Sequence, residues 1–164
     1  MSEKLTVTKQ ALEKAQSDMG YLQVILDKYN EVWLAEPQKL MENFSENQIT
    51  LLFYGVLHNQ VQNGGFLQLI FNGYAPYVFS EPLIDGLKSW GAIGTSELLL
   101  SIKDISLQVN SEMDKSSLDD LSKIYEQYPM YERYDKAFYE NDGSKEVKEY
   151  VSNHISDFAW RNGV

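Results

Sequence analysis

The chain has 164 residues, 43% of them hydrophobic and 23% charged, and its 24 acidic and 14 basic side chains leave a formal charge of −10. That length suits one domain with one sizeable core, the longest apolar runs fall far below the roughly 20 residues of a membrane span, and the N-terminus lacks the basic and apolar regions of a signal peptide. The absence of cysteine excludes disulfides, thiolate catalysis and Cys-ligated zinc, and an acidic surface with scattered basic residues disfavours direct binding of nucleic acid.

Helical spacing dominates from the start of the chain. Leu12, Ala15, Met19, Leu22, Leu26, Tyr29 and Trp33 recur at steps of three and four, which predicts one long helix from about Thr8 to Ala35. Pro37 ends it, because proline has no amide hydrogen and clashes with the preceding turn. A second helix opens at Ser45, with Gln48 three residues on as a capping box. Its apolar residues, Ile49 to Leu57, surround the helix, so it belongs at the centre of the core, and Gly55 allows a neighbouring helix to approach.

Asn63-Gly64-Gly65 is expected to stop that helix, since glycine takes the left-handed conformation of a helix end without steric cost. A short helix from Phe66 to Asn72 follows. Ser80 is expected to cap the next helix, with Pro82 in its first turn and Gly91 at its end. Thr95 is expected to cap a fifth helix, Ser117 a sixth that Pro129 breaks, and Met130 to Glu140 form a seventh. After the Asn141-Asp142-Gly143 turn, Ser144 is expected to cap the last, with Val147, Val151, His154 and Phe158 on its buried side. No sustained strand alternation and no fixed-period repeat appear.

The pattern predicts an all-α fold, a single irregular or orthogonal bundle of about seven or eight helices, as one domain over 1–164. The expected protein is soluble, cytoplasmic and either monomeric or homodimeric.

Signatures of catalysis are missing. Phosphate loops, dinucleotide fingerprints and nucleophile elbows do not occur. The two histidines, His58 and His154, lie far apart, and His154 with Asp157 makes an incomplete metal site. His58, one turn before the glycines, reads as a partner for the last carbonyls of its helix. No catalytic residue, cofactor or metal ligand is therefore assigned.

Six amides, Asn59, Gln60, Gln62, Asn63, Gln68 and Asn72, cluster about the glycine turn and read as partners for backbone groups exposed at two helix ends. Tyr125, Tyr128, Tyr131 and Tyr134 form a row three apart, read as a core edge. From Glu112 to Asp142 acids outnumber bases. Glu112, Asp114, Asp119, Asp120, Glu126 and Glu132 are the candidate partner-binding carboxylates, because an acidic helix presents negative charge at a spacing comparable to backbone phosphates.

The string Asn63-Gly64-Gly65-Phe66, with Gln68 and Asn72, resembles a family of small acidic helical bacterial proteins typified by a DNA-mimic protein, a domain of unknown function with this turn motif. Trp90-Gly91-Ala92 looks like that family's isoleucine-glycine-alanine step. Asp135 with Phe138-Tyr139, and Tyr150 beyond, look like its aspartate-aromatic signature. The likeness covers about 45–158, preceded by the long N-terminal helix. Leu69-Ile70 stand where the family often has aromatic residues, and Gln60 stands where it often has an acid. The resemblance implies that the motif builds the fold, and that surface carboxylates engage a DNA-binding protein. The leading expectation is thus a non-catalytic acidic binding protein whose partner is a protein, in the mimic case a basic DNA-binding one. The alternative is a helical interaction or immunity-type module without nucleic-acid mimicry. A third reading, a ligand site closed by His58, Gln62, Asn63, Gln68 and Asn72, requires those side chains to line a pocket.

Overall fold

A computed structural model describes residues 5–113, 115 and 121–162. The long N-terminal helix read from the sequence is two helices behind a strand. Strand β1 (Leu5–Thr8) leads into α1 (Lys9–Lys14), and α2 (Asp18–Ala35) follows after a break. The break arises because Ser17 turns extended and its hydroxyl accepts the Gly20 N–H at 2.9 Å, starting a new helix with Asp18 in its first turn. The apolar seam survives the break: Leu12, Leu22, Leu26 and Tyr29 are buried.

Pro37 opens α3 (Pro37–Asn43), and the capping box is present, with Ser45 and Gln48 exchanging bonds of 2.8 and 3.2 Å at the start of α4 (Glu46–Phe71). This helix is the axis of the molecule. It packs against α2 and, further along the chain, against α5 (Ala75–Val78), α6 (Glu81–Ser89), α7 (Ile93–Glu112), α8 (Leu121–Gln127), α9 (Tyr131–Glu140) and α11 (Ile155–Phe158). Residues on every side of it are buried, from Leu51 and Tyr54 to Phe66 and Ile70, which accords with its all-round apolar sequence. Gly55 sits where α2 crosses, and a Cβ there would press on the Leu26 methyl groups at 2.8 Å.

Helix α10 (Ser144–Asn153) packs against α2 and leads through α11 to strand β2 (Ala159–Asn162), which pairs in parallel with β1, Leu5 opposite Ala159. The sequence reading missed this small sheet because four residues per strand are too few to show alternation. Tyr29 and Gln48 anchor its entry, both donating to the Phe158 carbonyl, at 2.6 and 3.3 Å.

Eleven helical segments occur among the described residues, more than the seven or eight expected, because several connections are themselves single helical turns. The class is all-α as expected. Of three expected caps, Ser80 holds the N-cap position of α6, but its Oγ donates to the Tyr77 carbonyl at 2.8 Å instead of accepting from the helix; Thr95 lies buried two residues inside α7; and Gly143, not Ser144, precedes α10 at φ 78°. Ser117, the expected start of the sixth helix, lies outside the described residues.

Candidate recognition surface and the kinked helix behind it

Asn63-Gly64-Gly65 does not end the central helix. The chain breaks at Gly65 alone, at φ 82° and ψ 179°, and re-enters the helix at Phe66. Such a break strips partners from carbonyls before it and from amides after it. Three side chains from later in the chain take them over. Asp135 Oδ1 accepts the Phe66 N–H at 2.8 Å, the Tyr125 hydroxyl lies 3.0 Å from the Gly64 carbonyl, and the Tyr139 hydroxyl donates to the Val61 carbonyl at 2.9 Å. Tyr125 also makes a short hydrogen bond to Asp135 Oδ2. Phe66 packs edge-on against Phe138 at 5.9 Å.

Asp135 is buried, which raises its pKa above 3.8 against the pull of the Phe66 N–H and the Tyr125 hydroxyl. Burial, and then Asp135 itself, push the Tyr125 phenol up in turn. Tyr125 has one proton and two acceptors in reach. That proton is shared between the Gly64 carbonyl and the Asp135 carboxylate.

The amides do not do the work expected of them. Gln60 Oε1 accepts from Asn72 Nδ2 at 2.8 Å and from Gln68 Nε2 at 3.3 Å, while Asn63 Nδ2 reaches Asn59 Oδ1 at 3.4 Å. They bond one another, because Asp135, Tyr125 and Tyr139 already serve the backbone. His58 likewise turns away from its helix end. Its Nε2 stands 3.0 Å from Asp142 Oδ2, tying α4 to the turn before α10. That bond holds the Asp142 carboxyl down at about 2, with the Ser144 N–H as a further stabiliser. His154 is exposed rather than buried. It stacks on Tyr150 at 4.1 Å and its Nδ1 meets the Tyr150 carbonyl at 2.8 Å, without Asp157. Tyr150 in turn stacks on the buried Trp90 at 5.0 Å, so the two aromatic motif positions are in contact.

The tyrosine row is a core edge, as its spacing suggested. Tyr131 is buried and shares a 2.8 Å hydrogen bond with Ser106; Tyr125, Tyr128 and Tyr134 are half-buried. Of the candidate carboxylates, Asp114, Asp119 and Asp120 lie outside the described residues. Glu112 ends α7, exposed, and accepts a 2.9 Å bond from Gln108. Glu126 follows Tyr125 on α8, and Glu132 lies one turn before Asp135 on α9, close enough for its charge to raise the Asp135 pKa. Both are exposed, and among the described residues neither is in an ion pair. The kink thus places two free carboxylates on the helices that seal it.

Residues 42–154, more than half of the chain, match the family described as DMP19-like protein. This chain belongs to that family. A relative 29% identical over 129 residues, covering 77% of this chain and 78% of its own, is the DNA mimic protein DMP19 of Neisseria meningitidis serogroup B. No helix among the described residues is long and apolar enough to cross a membrane.

The motif residues of this DMP19-like chain are therefore one device in three dimensions, with Gly65 making the kink and Asp135 and Tyr139 closing it. Sequence reasoning missed Tyr125 as the third sealing group and Gln60 as the acceptor for the motif amides. Tyr125 was visible only as one of a row, and nothing in a linear sequence singles out which tyrosine meets a carbonyl sixty-one residues away.

Proposed function

We propose that this protein is a non-catalytic acidic binding protein that acts as a DNA mimic, laying carboxylates of α7, α8 and α9 and their connections on the basic site of a DNA-binding protein. Glu112, Asp114, Asp119, Asp120, Glu126 and Glu132 are the proposed contacts. The observation that carries the reading is the relationship to a protein named as a DNA mimic. The charge arrangement supports it. Among the described residues Lys or Arg reach carboxylates in only three pairs, Lys9–Glu13, Lys28–Glu31 and Lys136–Glu140, all exposed. Most carboxylates among the described residues stand outside such pairs. On α7, Glu97, Asp104 and Glu112 are exposed at intervals of seven and eight residues. At a rise of roughly 1.5 Å per residue these are about 10–12 Å apart along the axis, close to three phosphate steps of one DNA strand.

The test is capture of partners from cells of the source organism on the immobilised chain, eluted in parallel with salt and with duplex DNA. A mimic retains a DNA-binding protein that duplex DNA releases. Retention of a partner that neither salt nor DNA displaces would remove the basis for this reading.

A further inference from the structure

A second feature of the molecule owes nothing to its charge. Between α2 and α4, bounded by the turn around α5, runs a groove of about 550 Å³, within the range that small ligands occupy. Its depth comes from Gly55, where the two helices meet so closely that a Cβ would touch Leu26. Four aromatic rings line it: Trp33, Phe53, Tyr74 and Tyr77. Phe53 and Tyr77 are stacked at 5.3 Å and 30°, and Tyr77 is 46% exposed, so the pair keeps ring surface accessible to a further planar group.

The polar part of the lining consists of four amides, Gln23, Asn30, Asn59 and Gln60, and contains no charged side chain, although the chain carries 38 of them by the sum of 24 acids and 14 bases. Gln60 is oriented in advance. Its carbonyl oxygen is held by Gln68 and Asn72, which leaves its half-buried NH₂ group as a donor with no acceptor among the described residues. Asn30, exposed on α2, makes no side-chain hydrogen bond among the described residues either.

We propose that this groove is a binding site for a neutral nitrogen heterocycle, stacked on the aromatic wall and held at its edge by the amides, with Gln60 as the principal donor. Amides supply paired donors and acceptors of the kind that read a heterocycle's edge, and aromatic faces accept any planar ring. An anion finds no cation in the lining and meets the field of a −10 chain. An aliphatic ligand would strip water from the amides without replacing its hydrogen bonds.

The probes are adenosine, AMP as the same ring carrying charge, and glucose as a neutral ligand without a ring, titrated against the isotope-labelled full chain by NMR. Adenosine should shift the Trp33 indole and Gln60 side-chain amide signals saturably. AMP should bind at least about tenfold more weakly, and glucose should leave these signals in place. Gln60→Glu retains an acceptor for Gln68 and Asn72 but loses the donor, and Tyr77→Ala removes the open ring at an exposed site. Each should weaken adenosine binding about tenfold with the melting temperature unchanged. Unmoved groove signals, binding indifferent to both substitutions, or AMP binding as well as adenosine would each overturn the proposal. So would groove signals that change with protein concentration alone, because a second copy of the chain would then be the occupant.

Discussion

Asp135 and Asp142 are the two carboxylates the fold invests in, and they titrate in opposite directions. Asp135 is pushed above 3.8 by burial, so the folded chain holds a proton where the unfolded chain has released it. Its effect is to lower stability as pH rises from about 3.8 through its raised pKa, after which the loss is complete. Asp142, held at about 2 by His58, contributes stability that is fully present above 3.8 and is lost as pH falls toward 2. Denaturant midpoints measured across this range should separate the two. Asp135→Asn should remove the slope above 3.8, and Asp142→Asn the slope below it. At neutral pH Asp135→Asn should stay within about 1 kcal/mol of the parent, since its carbonyl can accept the Phe66 N–H and its NH₂ can donate to Tyr125. Asp135→Ala should cost about 2–3 kcal/mol, because it leaves a buried N–H without an acceptor. Equal losses for Asn and Ala would show that Asp135 is needed as a charge rather than as a hydrogen-bond partner.

A helix of twenty-six residues interrupted at one glycine is the element on which the rest is hung. Gly65 occupies a region of backbone space that side-chain-bearing residues avoid, at a cost of roughly 1–3 kcal/mol, and a Cβ there would fall on the Tyr125 hydroxyl and the Asp135 carboxylate. Gly65→Ala should therefore destabilise by more than about 3 kcal/mol or prevent folding, read from urea denaturation. Gly64→Ala keeps helical backbone and presses chiefly on the terminal amide of the Gln68 side chain, which can turn aside at the loss of its bond to Gln60, so it should cost less than Gly65→Ala. Much of this element was legible in the sequence: its capping box, its all-round apolar character and its glycine pair. The re-entry at Phe66 was not. A glycine pair signals freedom to leave a helix, whereas resumption depends on Asp135 and Tyr125 arriving from distant segments. The same limit explains His58. Its position near a helix end suggested a local carbonyl partner, and a carboxylate eighty-four residues away won instead. The acidic candidates were legible as residue types, but not the pairing that leaves Glu126 and Glu132 free.

Over the whole molecule, net charge and local charge make separable claims. A formal −10 would favour any basic partner at low ionic strength. Recognition as a DNA mimic demands more, namely that particular carboxylates occupy phosphate positions. Two double reversals distinguish these. Glu126→Lys with Glu132→Lys moves the charge from −10 to −6, two units per reversal, next to the sealed kink. Glu42→Lys with Glu149→Lys makes the same change at exposed positions on α3 and α10. All four side chains are exposed and outside any ion pair among the described residues, so stability should change by no more than about 0.5 kcal/mol per site. Against the captured partner, parent affinity should fall roughly tenfold or more as salt rises from about 50 to about 200 mM. The first pair should cost about ten- to a hundredfold at low salt and flatten that dependence, while the second should cost under about threefold. If both pairs lose affinity alike, attraction is set by overall charge and Glu126 and Glu132 have no privileged role.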